Sequence, residues 1–224
     1  MESNIFVLTV VTTIFVSLAT AGVTPSDCQF LQENYLQCHL SSINSRLERT
    51  DFSVIPNQTV GLKVICNQRT PGMLHKAAFS SLHQLQDLIL EGCALQDIPS
   101  GAFHGLNNLK RLEIRTKNEV GLIIASGAFD ALTNIETLDL SQNKIRSIPT
   151  GELCKLANIR QLNLSHNEIG SLEDIGVVED CGGFLTILDL SHNQMTTLER
   201  RLPASISQLD LESNFLRFIS ESAL

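Results

Sequence analysis

Ile135-Glu-Thr-Leu138-Asp-Leu140-Ser-Gln-Asn143-Lys-Ile145-Arg-Ser-Ile148-Pro149 is the stretch on which the reading of this 224-residue chain turns. The same spelling recurs at Ile159-Leu162-Leu164-Asn167-Ile169-Leu172, at Leu185-Leu188-Leu190-Asn193-Met195-Leu198 and at Ile206-Leu209-Leu211-Asn214-Leu216-Ile219. Upstream, Leu85-Leu88-Leu90-Cys93-Leu95-Ile98-Pro99 replaces Asn by Cys, and Leu109-Leu112-Ile114 keeps the front half only. A degenerate first unit begins near Gly61, with Val64 and Cys66 in the strand positions. Units therefore start at 61, 85, 109, 135, 159, 185 and 206, a regularity that marks a stacked repeat architecture.

The pattern L-x-x-L-x-L-x-x-[NC]-x-L is the leucine-rich repeat. It predicts an α/β leucine-rich repeat solenoid, a horseshoe with parallel strands on the concave face and an irregular or short helical convex side. The two leucines of L-x-L point inward from a short strand and the residues between them point out. The ninth-position Asn turns into the chain, where it can satisfy backbone groups that would be costly to bury unpaired. Ala78-Phe79, Ala102-Phe103 and Ala128-Phe129 recur behind the strands and are expected to form an aromatic spine of core residues.

No unit can bury its apolar stripe alone, so the array needs neighbours and caps. Residues 22–60 break the period, carry Cys28 and Cys38, and read as an N-terminal cap. Residues 61–224 hold about seven repeats, the last incomplete at Ser222-Ala223-Leu224 and with no cysteine-bearing cap after it, so an apolar end is expected there. Ahead of the cap, the apolar run Ile5–Val16 and the small residues up to Ala21 match a secretory signal over residues 1–21. The first four residues lack Lys or Arg, so an uncleaved anchor is the alternative. After Ala21 no apolar run approaches the roughly 20 residues that span a bilayer. The mature chain thus reads as secreted, or as lying on the extracellular side of the plasma membrane.

In that compartment the six cysteines are disulfide candidates. Cys154 and Cys181 each lie just before a unit start, on one convex edge of adjacent units, and are expected to pair, a loop closure worth about 3 kcal/mol. Cys28 can close a hairpin with Cys38, and Cys38 with Cys66 is the alternative. Cys66 and Cys93 occupy different strand positions, so Cys93 is expected to be a buried free thiol. Asn57-Gln58-Thr59 and Asn163-Leu164-Ser165 are N-glycosylation sequons, the second facing out of the concave side.

Composition narrows the function. A net charge of −8 and a pI near 5.2 argue against a nucleic-acid partner, which needs a basic surface. No nucleophile elbow, zinc-protease helix, phosphate loop or dinucleotide fingerprint occurs, so neither an enzyme nor a cofactor is expected. His166 and His192 both stand in Leu-Ser-His-Asn one unit apart, yet a structural zinc site wants four ligands and no third is in sight, so no metal is expected. The concave face is the natural contact surface. Lys110, Arg111 and Arg115 cluster on one unit beside Glu113, followed by Asp139, while Asp189, Asp210 and Glu212 crowd the last two. These eight residues are the candidate partner contacts, and the acidic end suits a basic partner.

The cap run Cys38-His-Leu-Ser-Ser-Ile-Asn44, continued by Asp51-Phe-Ser-Val-Ile55, resembles the start of an invertebrate Toll receptor ectodomain. So do Leu112-Glu-Ile-Arg-Thr-Lys-Asn118, where a repeat ends irregularly, and the Cys93 substitution; Cys154 and Cys181 match a cysteine pair of that family. The similarity is greatest to the long-ectodomain, Tollo-like branch and covers the mature chain. It implies a cell-surface receptor module that binds extracellular protein ligands or co-receptors, with homo- or hetero-association, in innate immunity or developmental patterning. A short secreted decoy or matrix-binding repeat protein is the alternative.

Overall fold

The computed structural model describes residues 27–43, 50, 52–67, 71–116, 120–177, 184–221 and 223. The expected signal segment and Cys181 lie outside the described residues.

A single leucine column organises the molecule. Parallel pairing aligns Leu36, Leu62, Leu88, Leu112, Leu138, Leu162, Leu188 and Leu209, one from each of eight successive strands. These strands are Tyr35–Leu40, Gly61–Cys66, Asp87–Glu91, Arg111–Arg115, Thr137–Asp139, Gln161–Asn163, Ile187–Asp189 and Gln208–Asp210. A ninth, Cys28–Gln32, pairs antiparallel with Tyr35–Leu40 and closes the N-terminal edge. The alternation of a two-residue period explains the burial: leucines face the core while the intervening residues face the concave surface. The convex side has short 3-10 turns such as Leu153–Lys155 and Glu173–Ile175, and small strand pairs of two residues each. This is the leucine-rich repeat solenoid.

The sheet starts inside the cap, earlier than the period indicates, because Tyr35–Leu40 carries its own inward Leu36 and Cys38. In the first full unit the inward pair is Leu62 and Val64, aligned with Leu88 and Leu90, and not Val64 and Cys66. This two-residue correction of register moves Cys66 to the strand end beside the turn at Gly92, whose φ of 68° is left-handed. Cys66 and Cys93 therefore meet, with Cα atoms 4.7 Å apart, and form a disulfide. The expectations of a free Cys93 thiol and of a Cys38–Cys66 alternative are both overturned. Cys28 and Cys38 face one another across the cap hairpin and are bonded. Cys154 is also in a disulfide.

The ninth-position asparagines form a buried ladder. Asn167 Nδ2 donates to the carbonyls of Leu140 and Leu164, at 3.0 and 2.9 Å, while its Oδ1 accepts from the N–H groups of Asn143 and Ile145. Asn193 and Asn214 repeat the carbonyl half of this arrangement one unit on each time. Asn143 reaches the unit before it, where Thr116 donates through both its N–H and its hydroxyl. Each amide thus joins two turns of the solenoid, which a hydrophobic residue there could not do. The preceding residue is left-handed at Gln142, His166, His192 and Ser213.

Behind the strands Phe79, Phe103 and Phe129 are fully buried. Phe103 and Phe129 stack with ring centroids 6.4 Å apart, and Phe52 of the cap packs on Phe79 at 4.5 Å. From unit four onward, Leu153 and Ile175 take over the spine. At the far end Leu209, Leu211 and Leu216 are only partly covered, and Phe215, Phe218 and Ile219 are exposed.

Candidate functional site

Parallel register converts spacing into columns on the concave face. The residue between the two inward positions of each unit stands beside its equivalents, so Glu113, Asp139, Asn163, Asp189 and Asp210 form one row across five strands. Four of these side chains do the same local work. Oδ1 of Asp139, Asn163, Asp189 and Asp210 accepts the N–H of the residue two ahead (Ser141, Ser165, Ser191 and Glu212), each at 2.9 Å. The hydroxyls of Ser165 and Ser191 donate to the same oxygens at 2.7 Å. The strand ends there, and the side chain substitutes for a ladder acceptor. The repeated Asp/Asn-Leu-Ser spelling is the sequence signal for this turn.

The row divides into two electrostatic halves. In units three and four the charges neutralise one another: Arg111 reaches Glu113 at 3.0 Å, and Arg115 bridges Glu113 at 2.9 Å and Asp139 at 2.6 Å. Glu113 and Asp139 are buried beneath these guanidinium groups. Burial acts to lower the pKa of Arg115, but the hydrogen bond to Asp139 and the charges of Asp139 and Glu113 raise it overall. Lys63 and Glu91 make a further pair at 2.8 Å on the N-terminal side. Lys110 stands apart from this network at the head of its strand, where Lys110, Glu136 and Arg160 alternate along an open groove lined by Asn108, Asn134 and Asn158. Each of those asparagines donates to a carbonyl of the unit before it, an edge column that the sequence reading missed although it precedes three unit starts.

In units six and seven the described residues of this row show no such neutralisation. Asp189 and Asp210 are direct partners in the parallel register, and Glu212 follows two residues on. Among the described residues none of the three makes an ion pair. Asp210 and Glu212 are exposed. Beside them the exposed rings of His166 and His192 stack in parallel, with centroids 4.1 Å apart. The structure thus keeps Arg111, Glu113, Arg115 and Asp139 together as one network and Asp189, Asp210 and Glu212 together as another, with Asn163 between them. Among the described residues no group of three metal-ligating side chains converges. No helix among them is long and apolar enough to cross a membrane.

Buried charge also occurs on the convex side. Glu152 accepts the N–H of Gly127 and the ammonium of Lys155, both at 2.8 Å. Burial acts to raise its pKa, and these bonds hold it below the usual carboxylate range. It stands where the two preceding units have the Ala of Gly-Ala-Phe, so its role is to join turns.

Comparison with known proteins agrees with this architecture. A leucine rich repeat family model matches residues 123–169, and a second matches residues 184–209. The chain is 33% identical over 165 residues to Toll-like receptor 7 of Drosophila melanogaster, which covers 66% of this chain and 11% of the receptor. It is 32% identical over 208 residues to lumican of Gallus gallus, covering 88% of this chain and 54% of lumican. A solved structure of a TLR13–ssRNA13 complex superposes with a TM-score of 0.66 at 26% identity, over 87% of this chain and 29% of that one. The chain therefore spans between a tenth and just over half of the curated relatives named here. The eight-leucine column, the asparagine ladder and these matches together make it a leucine-rich repeat protein with homologues among the Toll-like receptors.

Proposed function

We propose that this chain is an extracellular ligand-binding module of a Toll-type receptor, of the Tollo-like long-ectodomain branch, and that it binds protein partners through its concave face. The observation that carries this reading is the uncompensated acidic surface of Asp189, Asp210 and Glu212. Three carboxylates on a rigid sheet, none of them ion-paired among the described residues, attract a basic partner over a distance and gain pairing on contact. The same charge disfavours a phosphate backbone, so the partner is a protein and not a nucleic acid. The similarity to a Drosophila Toll-like receptor supports an innate immune or developmental setting. The second reading, a short secreted decoy or matrix-binding protein, draws support from the longer alignment with lumican.

The full chain can be secreted from insect cells and tested by surface plasmon resonance against a panel of purified extracellular domains, a second copy of itself and single-stranded RNA. Expected is a protein partner whose association rate falls with added salt and falls at least tenfold for Asp210→Asn/Glu212→Gln, which removes two charges and keeps the turn acceptor. Binding untouched by that variant, or binding to RNA alone, overturns the proposal.

A further inference from the structure

We propose that Asn163 carries an N-linked glycan that stands in the middle of the concave face, between its ion-paired half and its acidic half. This rests on the extracellular reading above, because the modification belongs to the secretory compartment.

At the ninth-position asparagines both ends of the amide are committed: Nδ2 of Asn167 and Asn193 each donates to three carbonyls from a buried site. Asn163 differs. Its Oδ1 accepts the N–H and the hydroxyl of Ser165, and its Nδ2 donates to nothing among the described residues. The side chain is half-exposed and faces the concave solvent. At the equivalent positions Asp139, Asp189 and Asp210 make the same Oδ1 turn bond with no nitrogen at all. The turn therefore needs one oxygen, and the nitrogen of Asn163 has no structural duty. Asn-Leu-Ser is also the only sequon in this row of the sheet.

Glycosylation uses that spare atom. Asn163 Nδ2 attacks the anomeric carbon of a lipid-diphosphate-linked oligosaccharide. The N–C bond forms, the bond from that carbon to the diphosphate oxygen breaks, Nδ2 loses one proton, and the lipid diphosphate departs. Transfer precedes closure of the sheet, since Ser165 is buried once the strands pair. Afterwards Oδ1 remains free to cap the turn, so the folded unit accepts the modified residue without rearrangement. The other sequon, Asn57-Gln58-Thr59, lies in the cap with Asn57 exposed and away from this row, and it serves as an internal control.

The full chain, with its own N-terminus, should be secreted from insect cells, and amidase deglycosylation in heavy-oxygen water should be read by peptide mass spectrometry. Expected is heavy-oxygen incorporation at Asn163. Asn163→Asp should lose that glycan and keep an unchanged Tm. Asp189→Asn in the Asn163→Asp background writes the same Asn-Leu-Ser into the same turn, and should move the glycan one unit along. Secreted protein with Asn57 modified and Asn163 bare overturns the inference and leaves the extracellular reading intact. A chain that is neither secreted nor modified overturns both. Modification at Asn163 with none after Asp189→Asn overturns the argument that the shared turn admits the sugar.

Discussion

Cys66 and Cys93 are joined across the first two full units, with their Cα atoms 4.7 Å apart, at the position where later units place the asparagine ladder. The covalent bond substitutes for hydrogen bonds that a cysteine cannot make. Its loop spans a sequence separation of 27 residues, so closure contributes about 3.5 kcal/mol. Cys66→Ser/Cys93→Ser should lose about that much in chemical denaturation, and non-reducing peptide mapping should find the two residues in one linked species. A folded protein in which Cys93 reacts with an alkylating agent would falsify the pairing.

The asparagine ladder predicts a larger penalty than its size suggests. Asn167→Ala strands the N–H groups of Asn143 and Ile145 in a buried site, while the carbonyls of Leu140 and Leu164 keep the bonds donated by Asn143 and Asn193. An unsatisfied buried group costs roughly 1–3 kcal/mol, so with two stranded the variant should lose about 2–6 kcal/mol. Urea denaturation of Asn167→Ala beside Asn163→Asp checks this, because the second change keeps its acceptor and should lie within about 0.5 kcal/mol of the parent. Equal losses in both would contradict the division of labour between the two columns.

Glu152 gives a pH dependence with a definite sign. Its carboxyl has a lower pKa folded than unfolded, held there against burial by Gly127 and Lys155. Such a group stabilises the fold above its unfolded pKa, and the contribution is lost as pH falls through the folded value. Glu152→Gln should therefore be less stable than the parent at neutral pH, by about 1–3 kcal/mol, with the gap narrowing on acidification. A gap that stays constant from neutral to acidic pH would remove the charge from the explanation.

The two halves of the concave face should respond oppositely to loss of charge. Arg115→Met leaves the buried Glu113 and Asp139 short of a cation and should cost about 1 kcal/mol, modest because the guanidinium is partly exposed. Asp210→Asn keeps the turn acceptor and relieves repulsion from Asp189, so it should be neutral or slightly stabilising. Thermal unfolding of the two variants at low and high salt would separate them, and a destabilised Asp210→Asn would show that its charge is already satisfied.

Phe215, Phe218 and Ile219 are exposed beside the half-covered Leu209, Leu211 and Leu216. A contiguous apolar surface of this kind favours association. The chain should self-associate in light scattering and exchange amides fastest from Ile206 onward, and Phe215→Ser/Phe218→Ser should shift it toward monomer. A monodisperse parent with strong protection through Leu216 would be the contrary result.

The sequence by itself determined the solenoid, because each leucine does one job that recurs at nearly fixed spacing, and a repeated job is legible without contacts. It also identified the ninth-position asparagine and the outward direction of Asn163, since both follow from strand alternation. The register of the first unit was different. Gly61-Leu-Lys-Val-Ile-Cys66 alternates in a way that suits two frames, and only pairing against Asp87–Glu91 selects Leu62 and Val64 as the inward pair. That choice brings Cys66 to Cys93. Charge followed the same logic: the acidic and basic residues of the concave face were all visible in the chain, but which of them are neutralised depends on side chains reaching between units. Arg115 spans from Glu113 to Asp139, while among the described residues no basic side chain pairs with Asp189 or Asp210, and that difference exists only once parallel strands set the units side by side.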